Sequence, residues 1–138
     1  MSRIVCCSGG FDPLTSGHID YIEDAANYGR VIVILNSDEW LIRKKGYLFM
    51  PWPQRAKILC ALRAVYGVIS VDDSDGSVSS ALRHSGASYF ANGGDRTADN
   101  TLELDVCREL GITPLFNIGG GKTASSSELV RAACRQMN

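Results

Sequence analysis

The stretch Ser8-Gly9-Gly10-Phe11-Asp12-Pro13-Leu14-Thr15-Ser16-Gly17-His18 decides how this chain is read. It follows a short apolar run, Ile4-Val5-Cys6-Cys7, and leads into the helix-patterned segment Ile19-Asp20-Tyr21-Ile22. Adjacent glycines after a strand let the backbone come close to a ligand. A helix start just beyond them offers unsatisfied N–H groups at the positive end of the dipole. A histidine at that start meets a phosphate both as a donor and as a partial or full cation. The combination predicts a nucleotide phosphate site. A lone Gly-Gly would read better as an ordinary strand–turn–helix connection, but Phe-Asp-Pro-x-Thr-x-Gly-His is far more specific.

Outward from this stretch, apolar runs and helix-period segments alternate to the end of the chain, which predicts an α/β sheet that is mostly parallel. The first strand is expected over residues 3–7. The helix after it carries Ile19, Ile22 and Ala26 on one face and stops at Gly29. Residues 30–35 read as a second, fully buried strand, because Val31-Ile32-Val33-Ile34-Leu35 lacks polar alternation. Asn36-Ser37-Asp38 then caps a short helix toward Arg43. Residues 44–53, with their prolines, aromatics and Gly46, read as a mobile loop. A helix is expected over 53–65, a third strand over 68–71 and a weaker helix over 78–85, ended by Gly86. A fourth strand over 88–91 leads to Asn92-Gly93-Gly94-Asp95. Leu102, Val106 and Leu110 mark a helix closed by Gly111, and a fifth strand over 114–118 precedes Gly119-Gly120-Gly121-Lys122. A capping box, Ser-x-x-Glu, opens the last helix at Ser125. Right-handed crossovers then give a Rossmann-like, doubly wound, five-stranded sheet with helices on both faces. Its ligand edge lies at the strands' carboxyl ends, where the order reverses.

Composition bounds the possibilities. With 138 residues and 45% hydrophobic content, one domain over 1–138 is expected. Net charge is −1, from 14 basic and 15 acidic residues, which argues against a nucleic-acid partner; nucleotide affinity must come from a local site. No apolar run approaches a membrane span and no signal-peptide pattern opens the chain, so a cytoplasmic protein without a membrane partner is expected. The five cysteines are odd in number and scattered, as suits small core residues in a reducing compartment. Neither His18 nor His84 stands near a cysteine pair at zinc-ligand spacing, so no metal ligands are assigned.

Phe11-Asp12-Pro13-x-Thr15-x-Gly17-His18 resembles the signature of the cytidylyltransferase-like nucleotidyltransferases. That superfamily includes glycerol-3-phosphate and ethanolamine-phosphate cytidylyltransferases, heptose-1-phosphate adenylyltransferase and phosphopantetheine adenylyltransferase. Many members have histidine where this chain has Thr15, a change that removes one imidazole and keeps a hydroxyl. The resemblance implies transfer of a nucleoside monophosphate from a triphosphate to a phosphorylated acceptor, with pyrophosphate leaving. Catalysis then consists of positioning and charge stabilisation.

By this resemblance, Thr15 and His18 bond the α- and β-phosphate oxygens, with Gly9, Gly10 and Phe11 forming the cradle. Asn36-Ser37-Asp38 followed by Arg43-x-Lys45-Gly46 looks like the heptose-type stretch whose lysine meets the triphosphate or the acceptor phosphate. Lys45 fits that pattern best, with Lys44 a close competitor. Arg55, in Pro53-Gln54-Arg55, matches a position whose arginine lies near the phosphates; without the resemblance it reads as a surface residue. Gly93-Gly94-Asp95 looks like the heptose-type Gly-Gly-Asp, where the glycines admit base or ribose and Asp95 either takes a sugar hydroxyl or caps the turn. Asn92 stands in place of that family's lysine. Ser125, Ser126 and Ser127 offer hydroxyls and free helix N–H groups to the β- and γ-phosphates, a role compatible with simple capping. Gly121-Lys122-Thr123 is no P-loop, because Leu115-Phe116 stand where that loop would open.

These motifs together are most similar to the sugar-phosphate adenylyltransferases, with ATP as donor. Mg²⁺ carried by the nucleotide is the implied cofactor, and a homodimer the implied assembly. A cytidylyltransferase acting on glycerol-3-phosphate or a similar alcohol phosphate, and a nucleotide-binding regulatory module without turnover, are the competing readings.

Overall fold

The computed structural model describes residues 3–94, 96–120 and 126–137. In chain order the elements are β1 (Ile4–Gly9), α1 (Ser16–Ala25), β2 (Arg30–Leu35), α2 (Asp38–Lys45), α3 (Trp52–Cys60) and β3 (Val65–Ile69). They continue as α4 (Ser79–Ser85), β4 (Tyr89–Ala91), α5 (Leu104–Leu110), β5 (Thr113–Leu115) and α6 (Ser126–Met137). All neighbouring strands pair in parallel, in the order β3-β2-β1-β4-β5. The chain winds outward from β1 through β2 to β3, then returns to lay β4 against the other side of β1. The order reverses between β1 and β4, so the loops following these two strands face each other across a crevice.

Side-chain alternation along β1 shows how two cores form on one sheet. Val5 and Cys7 point to one face and pack with Ile22 and Ala25 of α1 and Ala56 and Leu59 of α3. Cys6 points to the other face and joins Ala81 and Leu82 of α4, Val106 and Cys107 of α5, and Phe90 of β4. The apolar β2 run is buried from Val33 to Leu35, as expected of a strand covered on both sides.

Element boundaries moved where capping and packing outweighed periodicity. Lys44 and Lys45 do not belong to a loop: they end α2. Ser37 accepts a hydrogen bond from the Trp40 N–H, acidic residues occupy the first turn and basic ones the last, and Gly46 closes the helix at φ 84°. α3 stops at Cys60 rather than running to residue 65, because Val65 is already paired with Val31 in β3. Leu102 lies ahead of α5 and is exposed, whereas Val106 is buried. β5 ends at Leu115, short of residue 118. Among the described residues, no helix is long and apolar enough to cross a membrane.

Cys6, Cys7 and Cys107 are buried; Cys60 and Cys134 are exposed. Burial pushes the Cys7 thiol up to about 12 and the Cys6 and Cys107 thiols to about 11. The folded form therefore keeps protons that the unfolded chain releases as pH rises through the ordinary thiol value of 9.0, so these groups cost stability only in alkali. At pH 8 a thiol reagent is expected to label Cys60 and Cys134 in the native protein and to reach the other three only after denaturation. Fast labelling of Cys7 in native protein, read by peptide mass spectrometry, would contradict this packing. Phe90 is 1% exposed. Phe90→Ala is expected to lower stability by about 3–5 kcal/mol in urea unfolding, with the slope unchanged.

Candidate active site

The site is built first from a local consequence of the motif around Thr15 and His18. The Thr15 hydroxyl oxygen accepts from the His18 backbone N–H at 3.3 Å, and the Thr15 N–H donates to His18 Nδ1 at 3.0 Å. Together they form a capping box in which histidine takes the place usually held by Glu or Gln. Because Nδ1 is the acceptor, the neutral ring carries its proton on Nε2. Phe11 backs this ring edge-on, centroid to centroid 4.9 Å, from a left-handed backbone at φ 49°. Thr15, 7% exposed, thus serves as a helix cap and orients the histidine.

A second framework fixes the loops around this pair. The Asp12 carboxylate, fully buried, accepts from the backbone N–H groups of Phe49 and Met50, each at 2.7 Å. Arg55 is equally buried. Its guanidinium donates to the carbonyls of Met50, Gly10 and Asn36 and to Asp38 Oδ1. The resemblance suggested a phosphate-facing arginine, but in this structure those donors are taken up by the protein, and Arg55 lies under the site as a strut. At α2, Ser37 and Asn36 donate to the Asp73 carboxylate. Burial alone would raise that carboxyl, but these donors outweigh it and hold it below its ordinary value.

The crevice between β1 and β4 opens into a cleft of about 220 Å³ whose walls include Gly9, Phe11, His18, Gly93 and Gly94. Beneath it, the Tyr21 hydroxyl donates to the Ala91 carbonyl at 2.6 Å and accepts from the Ser8 N–H, joining the ends of β1 and β4. Burial, with the nearby Cys7 thiol, keeps that phenol well above its ordinary value. Gly119 closes one side. Its N–H donates to Asp24 of α1 at 2.6 Å, and a Cβ there would stand 2.7 Å from the Tyr21 Cα. Gly10 does not line the cleft, and a Cβ there would meet Leu41 Cδ2 at 2.5 Å.

Of the two candidate lysines, Lys44 lines the cleft, with its ammonium 4.6 Å from the Trp40 ring centroid. Lys45 is half-buried and forms no part of that wall. Lys44 is therefore the lysine that α2 contributes to the cleft wall. Asn92 lines the cleft, but its amide Nδ2 donates to the Leu115 carbonyl at 3.0 Å and so secures β4 against β5. The Ser126 hydroxyl donates to the Pro13 carbonyl at 2.5 Å, bringing the start of α6 to the β1–α1 loop. Neither Ser126 nor Ser127 lines the cleft. Asp95, Ser125 and Lys122 lie outside the described residues.

Sequence reasoning missed Asp20, Trp40 and Arg96, all of which line the cleft. A signal for Trp40 was available: it precedes Lys44 by four residues, the spacing that brings two helical side chains together. Arg96 comes from a loop and carries no such periodic mark. Among the described residues no group of three His, Cys, Asp or Glu stands together in a way that could hold a metal.

Arg55→Met is expected to destabilise the fold by about 3–5 kcal/mol, because it strands several buried acceptors at once. Arg55→Lys should recover little, since one ammonium cannot span the same acceptors. Urea unfolding of both variants checks this; a near-native midpoint for the lysine variant would refute the strut.

Comparison with known proteins adds a family to this geometry. The cytidylyltransferase-like family pattern matches residues 6–115. The chain is 34% identical over 113 residues to the bifunctional protein HldE of Geobacter metallireducens, a match covering 79% of this chain and 22% of that protein. It is 34% identical over 112 residues to the bifunctional protein HldE of Pseudomonas syringae pv. syringae, covering 79% and 23%. The chain thus spans about a quarter or less of the length of these curated relatives. Among solved structures, the lipopolysaccharide core biosynthesis protein from Thermoplasma volcanium shares the fold, with a TM-score of 0.69 at 22% identity over 84% of this chain and 94% of that one. The motif around His18, the parallel β3-β2-β1-β4-β5 sheet and the matched residues agree: this chain belongs to the cytidylyltransferase-like family.

Proposed function

We propose that this chain transfers AMP from ATP to a phosphorylated, sugar-like acceptor and releases pyrophosphate. The observation that carries this reading is the held imidazole: the capping box leaves Nε2–H as the donor of a ring that lines the same cleft as Lys44, Arg96 and the Gly93-Gly94 turn. Transfer requires an acceptor phosphate oxygen to attack the α-phosphorus while the α–β P–O bond breaks and its electron pair leaves with pyrophosphate. The His18 Nε2–H donates to an oxygen of the α- or β-phosphate as negative charge shifts toward the leaving group. Lys44 and Arg96 hold the incoming phosphate against the triphosphate and reduce the repulsion between the two anions. Gly93 and Gly94 admit the nucleoside close to the backbone, as Gly-Gly-Asp does in the heptose-type adenylyltransferases that the sequence resembles.

Asp20 is the carboxylate of the cleft wall among the described residues, and the buried Asp12 oxygens already accept backbone N–H groups. That donor set suits Mg²⁺ that would be held chiefly by triphosphate oxygens and water, with Asp20 as the side chain that would assist. When bound, the ion neutralises triphosphate charge.

The test is pyrophosphate release with each of the four nucleoside triphosphates against a panel of sugar and polyol phosphates. ATP with a sugar phosphate is expected to give the highest kcat/KM. Turnover with CTP alone would overturn the adenylyl assignment, and nucleotide binding without turnover across the panel would identify a regulatory module. His18→Ala is expected to lower kcat by about a hundredfold or more while the unfolding midpoint shifts by no more than the loss of a helix cap allows. A near-normal rate in that variant would remove His18 from the mechanism.

A further inference from the structure

Beside the cleft lies a second, more open depression of about 560 Å³, against about 220 Å³ for the cleft itself. Trp40, Lys44 and Arg96 line both, so the two spaces meet along one wall. Arg43, Asn100 and Leu102 line only the depression. Among the described residues no carboxylate lines it, whereas Asp20 lines the cleft. Arg43 is steadied by a hydrogen bond from Nη2 to the backbone carbonyl of Asp73 at 2.9 Å. This is not an ion pair, because the Asp73 carboxylate is occupied by Ser37 and Asn36. Neither Arg43 nor Arg96 has a carboxylate partner among the described residues.

We propose that this depression is the subsite for the body of the acceptor, and that it selects acceptors bearing a second anionic group, a carboxylate or another phosphate, beyond the reacting phosphate. The inference rests on the nucleotidyl-transfer reading. The reacting phosphate has to stand beside the nucleotide, at the wall where Lys44 and Arg96 serve both spaces. The remainder of the acceptor can then extend into the larger space that adjoins this wall. There the Trp40 ring and Leu102 offer an apolar wall to C–H groups, and Arg43 offers a guanidinium fork suited to a carboxylate or phosphate. An acceptor with a neutral body would leave that guanidinium to water, so the second anion gains a contact that the neutral body lacks.

Binding, measured by calorimetry with α,β-methylene-ATP saturating the cleft, separates this proposal from the transfer reaction. Two probe pairs serve, each differing in its second group: glucose 1-phosphate against glucuronic acid 1-phosphate, and glucose 1-phosphate against glucose 1,6-bisphosphate. In the native chain the second anionic group is expected to tighten binding about tenfold in at least one pair, and the pair that responds shows whether carboxylate or phosphate is read. Arg43→Gln should reduce that gain to about twofold or less, with the affinity for the ATP analogue unchanged. Equal affinities within both pairs, no binding by any probe, or a full gain retained in Arg43→Gln would each overturn the subsite. Turnover of neutral-bodied acceptors without any such gain would leave the transfer reaction standing and this proposal refuted. A gain in binding with no turnover of any acceptor would do the reverse.

Discussion

The guanidinium of Arg55, with no exposed surface, draws three loops together at the carboxyl edge of the sheet. It bonds to Gly10 after β1, to Asn36 after β2 and to Met50 before its own helix, and it pairs with Asp38 at the start of α2. A charge so deeply buried is tolerated only when several acceptors replace water. The chain meets that requirement with carbonyls that the loops would otherwise leave unpartnered. The Asp12 carboxylate completes the arrangement by accepting from Phe49 and Met50. The Gly-Gly turn, the start of α2 and the 47–50 segment consequently hold one geometry, and the walls of the cleft inherit it.

The same economy governs the signature itself. Threonine and histidine three residues apart satisfy each other at a helix start, and the same bonds fix the orientation of the histidine ring. Helix capping and phosphate recognition are thus not rival accounts of Thr15-Ser16-Gly17-His18. The cap supplies the orientation on which the proposed recognition depends, and Phe11 packs edge-on against the same ring. Threonine at the first position supplies the side-chain oxygen that this cap uses, an atom that an imidazole lacks.

Much of the fold was legible because its signals are local. The unbroken β2 run gave its strand limits at Arg30 and Leu35, and Gly86 and Gly111 marked helix ends that the structure places in left-handed conformations. Where tertiary pairing sets a boundary, periodicity fell short: Val65 left its helical pattern to pair with Val31, and Lys44-Lys45 were drawn into α2 by its caps. The site was legible to the extent that it is written in one segment, at Gly9 to His18. Arg55 illustrates the opposite case, since its partners lie up to 45 residues away and no sequence spacing announces them. Arg96 and Asp20, from separate elements, share one cleft because β4 pairs with β1, a pairing that no local pattern announces.

The contact between Lys44 and Trp40 has a further consequence for the cleft. A lysine on an open surface loses rotational freedom when it closes on an anion, at a cost of up to about 2 kcal/mol. Here the indole face already restrains the ammonium beside the opening, so much of that freedom is gone before any ligand arrives. Aromatic attraction of this kind is worth about 0.5–1 kcal/mol at a surface. The ring therefore keeps the Lys44 charge beside the opening of the cleft before any ligand is bound.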